Sequence, residues 1–114
     1  MATKHSIEPP PALVALRVTS QEMFPRFLAG EYVLYEETDD AAPGDEVVLV
    51  MHDGSTKIRK LIERTDGRVR VAMYSPSSTA TFYAAGISAI HPVVGCRKEL
   101  ELASLGFVPE VEMR

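Results

Sequence analysis

The chain has 114 residues, of which 46% are hydrophobic and 25% are charged, and these values are ordinary for one globular domain. Its formal net charge is −4, with acidic pairs at Glu36-Glu37 and Asp39-Asp40. Domains that bind nucleic acid through its phosphates are normally basic, because releasing the counterions of those phosphates supplies most of the affinity. The composition therefore argues against direct DNA binding by this domain.

Membrane, disulfide and metal sites are not expected either. No apolar run approaches the roughly 20 residues that a membrane span needs, and no apolar stretch follows Met1 that would predict a signal peptide. The single cysteine, Cys96, excludes an internal disulfide and fits a reducing cytoplasm. His5, His52 and His91 lie far apart without a second ligand at metal-like spacing, so we predict no metal and no cofactor.

Most of the chain has the pattern of a β protein. Residues 1–12, with three consecutive prolines, predict an extended linker before a domain at 13–98. Segments rich in β-branched and aromatic residues predict strands at 13–18, 32–35, 46–51, 56–63, 69–73 and 90–96. Asp53-Gly54 and Asp66-Gly67 predict tight hairpin turns between them. Pro92 indicates an edge strand or a bulge.

Helix is scarce. Residues 21–28 predict one helical turn, which Pro25 breaks. Residues 99–114 form a C-terminal extension in which 99–105 predict a short helix that ends at Gly106. The expected architecture is a mostly β, curved antiparallel domain with little helix.

Six segments carry a resemblance to one family. They are Val18-Thr19-Ser20-Gln21-Glu22-Met23-Phe24-Pro25, Gly30-Glu31-Tyr32-Val33-Leu34, Pro43-Gly44-Asp45-Glu46-Val47-Val48, Ile58-Arg59-Lys60-Leu61, Tyr74-Ser75-Pro76 and Ile90-His91-Pro92-Val93-Val94-Gly95. In this order and spacing the chain resembles the C-terminal, LexA-type domain of phage repressors, a LexA/signal peptidase-like family of self-cleaving serine–lysine peptidases. The resemblance implies a β-clip fold that dimerises. In active members a serine attacks a peptide bond of the protein's own linker, with a lysine as general base.

Both catalytic positions of that family are substituted here. The family serine precedes a methionine, and Glu22 precedes Met23; the family lysine follows a strand valine, and Arg59 follows Ile58. A dyad lysine must become a neutral amine to accept the hydroxyl proton, whereas arginine stays protonated and glutamate has no hydroxyl. The resemblance therefore implies loss of peptidase activity. Because the substituents carry opposite charges, we expect Glu22 and Arg59 to form an ion pair.

Two alternatives remain open. Ser20 and Lys57 each lie two residues before the substituted positions, so a displaced serine–lysine dyad would keep the peptidase active. A peptide-binding module that retains the family cleft is the other alternative. The dipeptides Ala29-Gly30 and Ala85-Gly86 resemble the bond that active members cut, but both are predicted in loops, and none occurs in residues 1–12.

The favoured function is a catalytically inactive oligomerisation and regulatory domain of a phage-type repressor. DNA would be bound only by an N-terminal helix-turn-helix domain outside this chain, and an antirepressor or other regulatory protein is a candidate partner. A homodimer or higher homo-oligomer is expected, with Val93, Val94, Phe107 and Val108 as interface residues. The basic side chains of residues 57–70 are interpreted as the solvent-facing surface of a hairpin.

Overall fold

The computed structural model describes residues 12–98, which form a mostly antiparallel β domain as the sequence predicted. The strands are β1 (Leu13–Arg17), β2 (Tyr32–Glu36), β3 (Glu46–Met51), β4 (Thr56–Thr65), β5 (Arg68–Tyr74), β6 (Ser77–Tyr83) and β7 (Ile87–Arg97), with a short 3₁₀ turn (Ala84–Gly86) before β7. No helix among the described residues has the length and apolar character that crossing a membrane requires. The predicted helix at 99–105 and the interface residues Phe107 and Val108 lie outside the described residues.

The strands pair in the order β1-β2-β7-β3-β4-β5-β6. The long strand β7 joins two parts of the sheet, because residues 87–92 pair with β3 and residues 93–97 pair with β2. Pro92 lies at this change of partner, and the register shifts beside it, where Tyr35 opposes Val93 and Leu34 opposes Gly95. The bulge suggested by Pro92 is therefore present. The edge placement was wrong for β7 as a whole, which lies between β2 and β3.

Two apolar clusters lie on opposite faces of β3, where adjacent residues Val47 and Val48 are both fully buried. The loop-side core consists of Leu16, Val18, Met23, Phe27, Val33, Tyr35 and Val48. The hairpin-side core consists of Ala41, Val47, Leu49, Leu61, Val69, Val71 and Ile90. Burial on both faces explains why β3 reads as a continuous apolar run rather than an alternation.

The hairpin turns form where the sequence predicted them. Gly54 and Gly67 have φ angles of +89° and +83°, a region that glycine adopts without the steric cost of a Cβ atom. The first turn is closed by hydrogen bonds between Met51 and the residues Gly54 and Ser55. These turns set the register in which β3, β4 and β5 lie side by side.

Four details of the structure correct or refine the sequence-based expectations. Strand β6 was not predicted, and β7 begins at Ile87 rather than at residue 90. The segment after β1 is a series of turns, in which the amide of Phe27 donates to the carbonyl of Met23 as in one helical turn. Val93 is half-buried and packs against the loop-side core, so that only Val94 of the two proposed interface residues on β7 is exposed, at 52%.

Candidate functional site

A cleft of about 280 Å³ lies between the end of β1, the loop that follows it, and the beginning of β4. Its lining comprises Leu16, Arg17, Val18, Thr19, Ser20, Glu22, Met23, Ser55, Thr56, Lys57, Ile58 and Arg59. All four residues that the sequence singled out for catalysis or its loss, Ser20, Glu22, Lys57 and Arg59, are in this set. The structure thus brings together segments that are more than thirty positions apart in the chain.

The loop that carries Glu22 is anchored on both sides. The backbone carbonyl of Glu22 accepts hydrogen bonds from the amides of Tyr74 (2.9 Å) and Ser75 (3.0 Å) at the end of β5. Met23, the next residue, is buried in the loop-side core together with Phe27. These contacts hold the Glu22 backbone in place at the cleft while its side chain remains 47% exposed.

Arg59 reaches the cleft from β4, where it pairs with Val47 of β3. Its side chain is only 11% exposed. The Nη1 atom donates to the carbonyl oxygen of Ile58 at 2.8 Å and lies 2.9 Å from Oε1 of Glu22 in an ion pair. The ion pair expected from the two substitutions is therefore present, and the buried guanidinium has a carboxylate partner.

This pair cannot perform the chemistry of a serine–lysine dyad. Arginine keeps its proton throughout the pH range in which proteins are folded, so it cannot act as a general base. Glu22 offers a carboxylate held by a cation, which is a poor nucleophile compared with an activated hydroxyl. What the arrangement does provide is a charge-assisted bridge between the loop after β1 and strand β4.

Ser20 and Lys57 line the same cleft. The Oγ atom of Ser20 accepts a hydrogen bond from the Glu22 amide at 3.4 Å, which is a local turn contact rather than a contact with Lys57. Lys57 pairs with Leu49 along β4 and is half-buried. A hydroxyl and an amine therefore share one cavity, next to the Glu22–Arg59 pair.

A second polar cluster, which the sequence did not predict, lies between the loop after β1 and strands β3 and β5. Nε of Arg26 contacts both carboxylate oxygens of Glu46, at 3.0 and 3.1 Å, and the hydroxyl of Tyr74 donates to Oε2 of Glu46 at 3.0 Å. Burial, and then the hydrogen bond to Glu46, raises the pKa of Tyr74 above its ordinary value of 10.0. The cluster fastens the loop to β3 and β5. Its members are 20 and 28 positions apart, and no local sequence signal links them.

Cys96 on β7 packs against the loop-side core and is half-buried. Its thiol donates to Oε1 of Glu31 at 3.4 Å. Burial, followed by this hydrogen bond, raises the pKa of the Cys96 thiol to about 11. A thiol held in its protonated form is unsuited to nucleophilic chemistry at neutral pH.

A second cavity, of about 390 Å³, opens beside His91 and the acidic segment after β2. The ring of His91 stacks on Tyr35, with centroids 5.3 Å apart, and its Nδ1 lies 2.9 Å from the carbonyl oxygen of Thr38. His91 thus has a structural role in the sheet. Among residues 12–98, no three His, Cys, Asp or Glu side chains are grouped as metal ligands would be.

Four basic residues on the hairpin of β4 and β5 are exposed (Lys60, Arg64, Arg68 and Arg70), whereas Lys57 is half-buried and Arg59 is buried in the cleft. Arg64 forms an exposed ion pair with Asp39 at 3.3 Å, and the guanidinium of Arg68 lies 5.5 Å from the centre of the Tyr83 ring. These contacts pair some of the charges locally. The interpretation of this segment as a solvated surface fits the exposed residues but is wrong for Arg59, whose side chain is buried and paired with Glu22.

Comparison with known proteins gives the family. The model of a family described as Peptidase S24-like matches residues 1–90, the greater part of the chain. A curated relative, Repressor protein C of Rhizobium phage 16-3, is 26% identical over 97 residues, which cover 78% of this chain and 37% of that protein. The chain therefore spans little more than a third of the length of this relative. On the family match, supported by a β architecture of the expected kind, the chain belongs to the Peptidase S24-like family.

Proposed function

We propose that this chain is a non-cleaving oligomerisation and regulatory domain of a phage-type transcriptional repressor. The observation that carries the proposal is the Glu22–Arg59 ion pair in the cleft, at the two positions where the family motif has serine and lysine. Membership of a family that includes peptidases supplies the fold. The likeness to a phage repressor supplies the regulatory context.

In this proposal the DNA is bound by a separate helix-turn-helix domain, and the present domain joins two such heads. The net charge of −4 supports that division, because a phosphate-binding surface would need excess positive charge. Joining two heads raises affinity by making the second half-site contact intramolecular. Release would then require a regulatory protein such as an antirepressor rather than self-cleavage, and the single cysteine suits a cytoplasmic location.

The loss of cleavage is tested by intact-mass measurement after prolonged incubation at alkaline pH, the condition that favours a neutral lysine in an active dyad. We expect the 114-residue chain to keep its full mass. A double variant, Glu22→Ser with Arg59→Lys, restores the family's residue types and serves as the comparison. Fragments from the parent chain would overturn the assignment as a non-peptidase.

The oligomerisation is tested by sedimentation of the same chain over a range of concentrations. We expect a dimer or a larger assembly at high concentration. A chain that stays monomeric throughout would contradict the oligomerisation role and leave peptide capture in the cleft as the better candidate.

A second candidate function is peptide-bond cleavage by a displaced dyad, and one observation favours it: Ser20 and Lys57 line the same cleft. Its test is separate from that of the Glu22–Arg59 pair. Ser20→Ala and Lys57→Ala would each abolish any cleavage by the parent chain if these residues performed it. Cleavage that persists in either variant, or a parent chain that is never cut, removes this candidate.

A further inference from the structure

Strand β6 (Ser77–Tyr83) ends the sheet and has one free edge. It pairs along its whole length with β5, from Tyr74 opposite Ser77 to Arg68 opposite Tyr83, without a shift of register. Within residues 12–98 no strand pairs with its other edge. Six of its seven residues are exposed, and only Phe82 is half-buried. In an antiparallel strand every second residue points its amide and carbonyl groups away from its neighbour, so this edge offers unused backbone donors and acceptors.

This edge lacks the features that keep strand edges apart in monomeric proteins. Such edges are usually short, bulged, or interrupted by charged side chains or proline. The segment Ser-Ser-Thr-Ala-Thr-Phe-Tyr contains no charged residue and no proline, and its pairing with β5 is regular. The edge at the other end of the sheet, β1, is shorter, with five residues, and ends in Arg17. The two ends of the sheet therefore differ in how readily they accept another strand.

We propose that the free edge of β6 pairs, antiparallel, with the same edge of a second copy of this chain. The inference rests on the proposed oligomerisation and names its surface. A two-fold axis at Ala80 places each Thr79 opposite Thr81 of the partner subunit and each Ala80 opposite its own copy. Threonine pairs across antiparallel strands are favourable relative to an alanine pair, and the small Ala80 side chains at the axis leave room for them. Two copies of an uncharged strand pair without electrostatic repulsion, whereas two copies of a strand with a net charge repel each other.

The charges nearest this axis are too distant to oppose the pairing. Arg70 lies on β5, one strand behind the edge. The guanidinium of Arg68 lies over the Tyr83 ring of β6, but Tyr83 is three residues from the axis, which places its two copies about 20 Å apart along the strands. In the pair of sheets, β5 and its copy are separated by three strand spacings of about 4.8 Å, or roughly 14 Å. That distance exceeds the Debye length of about 8 Å at physiological salt, so their mutual repulsion is screened. A second copy thus fits the edge better than a strongly charged peptide, for which β6 has no complementary charge.

The test is a charge pair at the axis in the full 114-residue chain. Ala80→Glu and Ala80→Lys each place two like charges opposite one another, and we expect each variant alone to weaken self-association at least about tenfold in sedimentation. Mixing the two variants places opposite charges across the axis and should restore the assembly. Leu13→Glu on β1 is an exposed control that should not change the assembly, and Val94→Glu on β7 tests the other interface, which the sequence suggested and this proposal replaces.

Each outcome is decisive. Restoration of the assembly in the mixture supports self-pairing through β6. Assembly that survives Ala80→Glu but is lost in Val94→Glu or Leu13→Glu overturns self-pairing through β6, while the proposed oligomerisation still holds. A parent chain that is always monomeric overturns both. If the charged variants do not fold, Ala80→Cys in a Cys96→Ser background answers the same question, because opposed residues lie about 4.5–5.5 Å apart and can form a disulfide. No covalent dimer on mild oxidation then contradicts the proposal.

Discussion

The carboxylate of Glu22 and the guanidinium of Arg59 meet at 2.9 Å across the cleft, but they are not equally buried. The glutamate side chain is half-exposed, whereas only 11% of the arginine side chain is exposed. The buried charge of Arg59 therefore needs its partner more than the half-exposed charge of Glu22 does. Removing one partner of a buried pair costs more than the pair itself contributes, because the remaining charge stays desolvated.

We expect Glu22→Ala to lower the free energy of unfolding by about 1–2 kcal/mol, since Arg59 would keep only the carbonyl of Ile58 as a partner. The estimate is below that for a fully buried pair, because solvent already screens Glu22. Urea denaturation at neutral pH measures the loss. The matched control is Asp39→Ala at the exposed Arg64 pair, which should cost less than about 0.5 kcal/mol. Equal losses in both variants would contradict the dependence of Arg59 on Glu22.

The pair was foreseeable from the sequence only through the family motif. Composition and periodicity place Glu22 and Arg59 on polar positions of a turn and a strand, and neither signal says that they meet. The contact depends on the loop after β1 being fastened to β5 through the carbonyl of Glu22. A long-range backbone contact of this kind leaves no local trace in the sequence.

The strands were predictable to the extent that burial imposes a pattern. The strands β3, β4 and β5 carry buried apolar residues and are separated by the two Asp-Gly turns. The apolar residues predict the strands, and the turns predict that consecutive strands pair as hairpins. Strand β6 was missed because both of its faces are largely exposed, and its serine and threonine residues show no alternation. Its conformation is set by pairing with β5 rather than by a buried face.

Two phenylalanines in the loop after β1 should differ sharply in their contribution to stability. Phe27 is fully buried in the loop-side core, whereas Phe24 is 45% exposed. We expect Phe27→Ala to cost about 3–5 kcal/mol, because it leaves a cavity beneath the loop that carries Glu22. Phe24→Ala should cost less than about 1 kcal/mol. Thermal or urea unfolding compares the two directly, and similar losses would mean that the loop is not held by Phe27.

Tyr74 should ionise above its ordinary pKa of 10.0, because burial and its hydrogen bond to Glu46 favour the neutral phenol. Absorbance titration of the phenolates measures this. Glu46→Gln removes the charge but keeps an acceptor, so the pKa of Tyr74 should fall toward its ordinary value without reaching it, since burial is the larger cause. Tyr74→Phe removes the Tyr74 phenolate and so identifies its contribution to the titration. A Tyr74 pKa that does not respond to Glu46→Gln would show that the hydrogen bond is not formed in solution.

The thiol of Cys96 should react slowly and should couple stability to alkaline pH. Because burial and Glu31 raise its pKa to about 11, only about one molecule in a thousand carries the thiolate at pH 8, and alkylation should speed up about tenfold per pH unit up to that pKa. In the unfolded chain the thiol ionises near its ordinary pKa of 9.0. The unfolded state therefore loses its proton first, and stability should fall as pH rises from about 9 to about 11. Urea denaturation across this range measures the slope, with Cys96→Ala as the control that should flatten it; an equal slope in both chains would assign the alkaline loss to other groups.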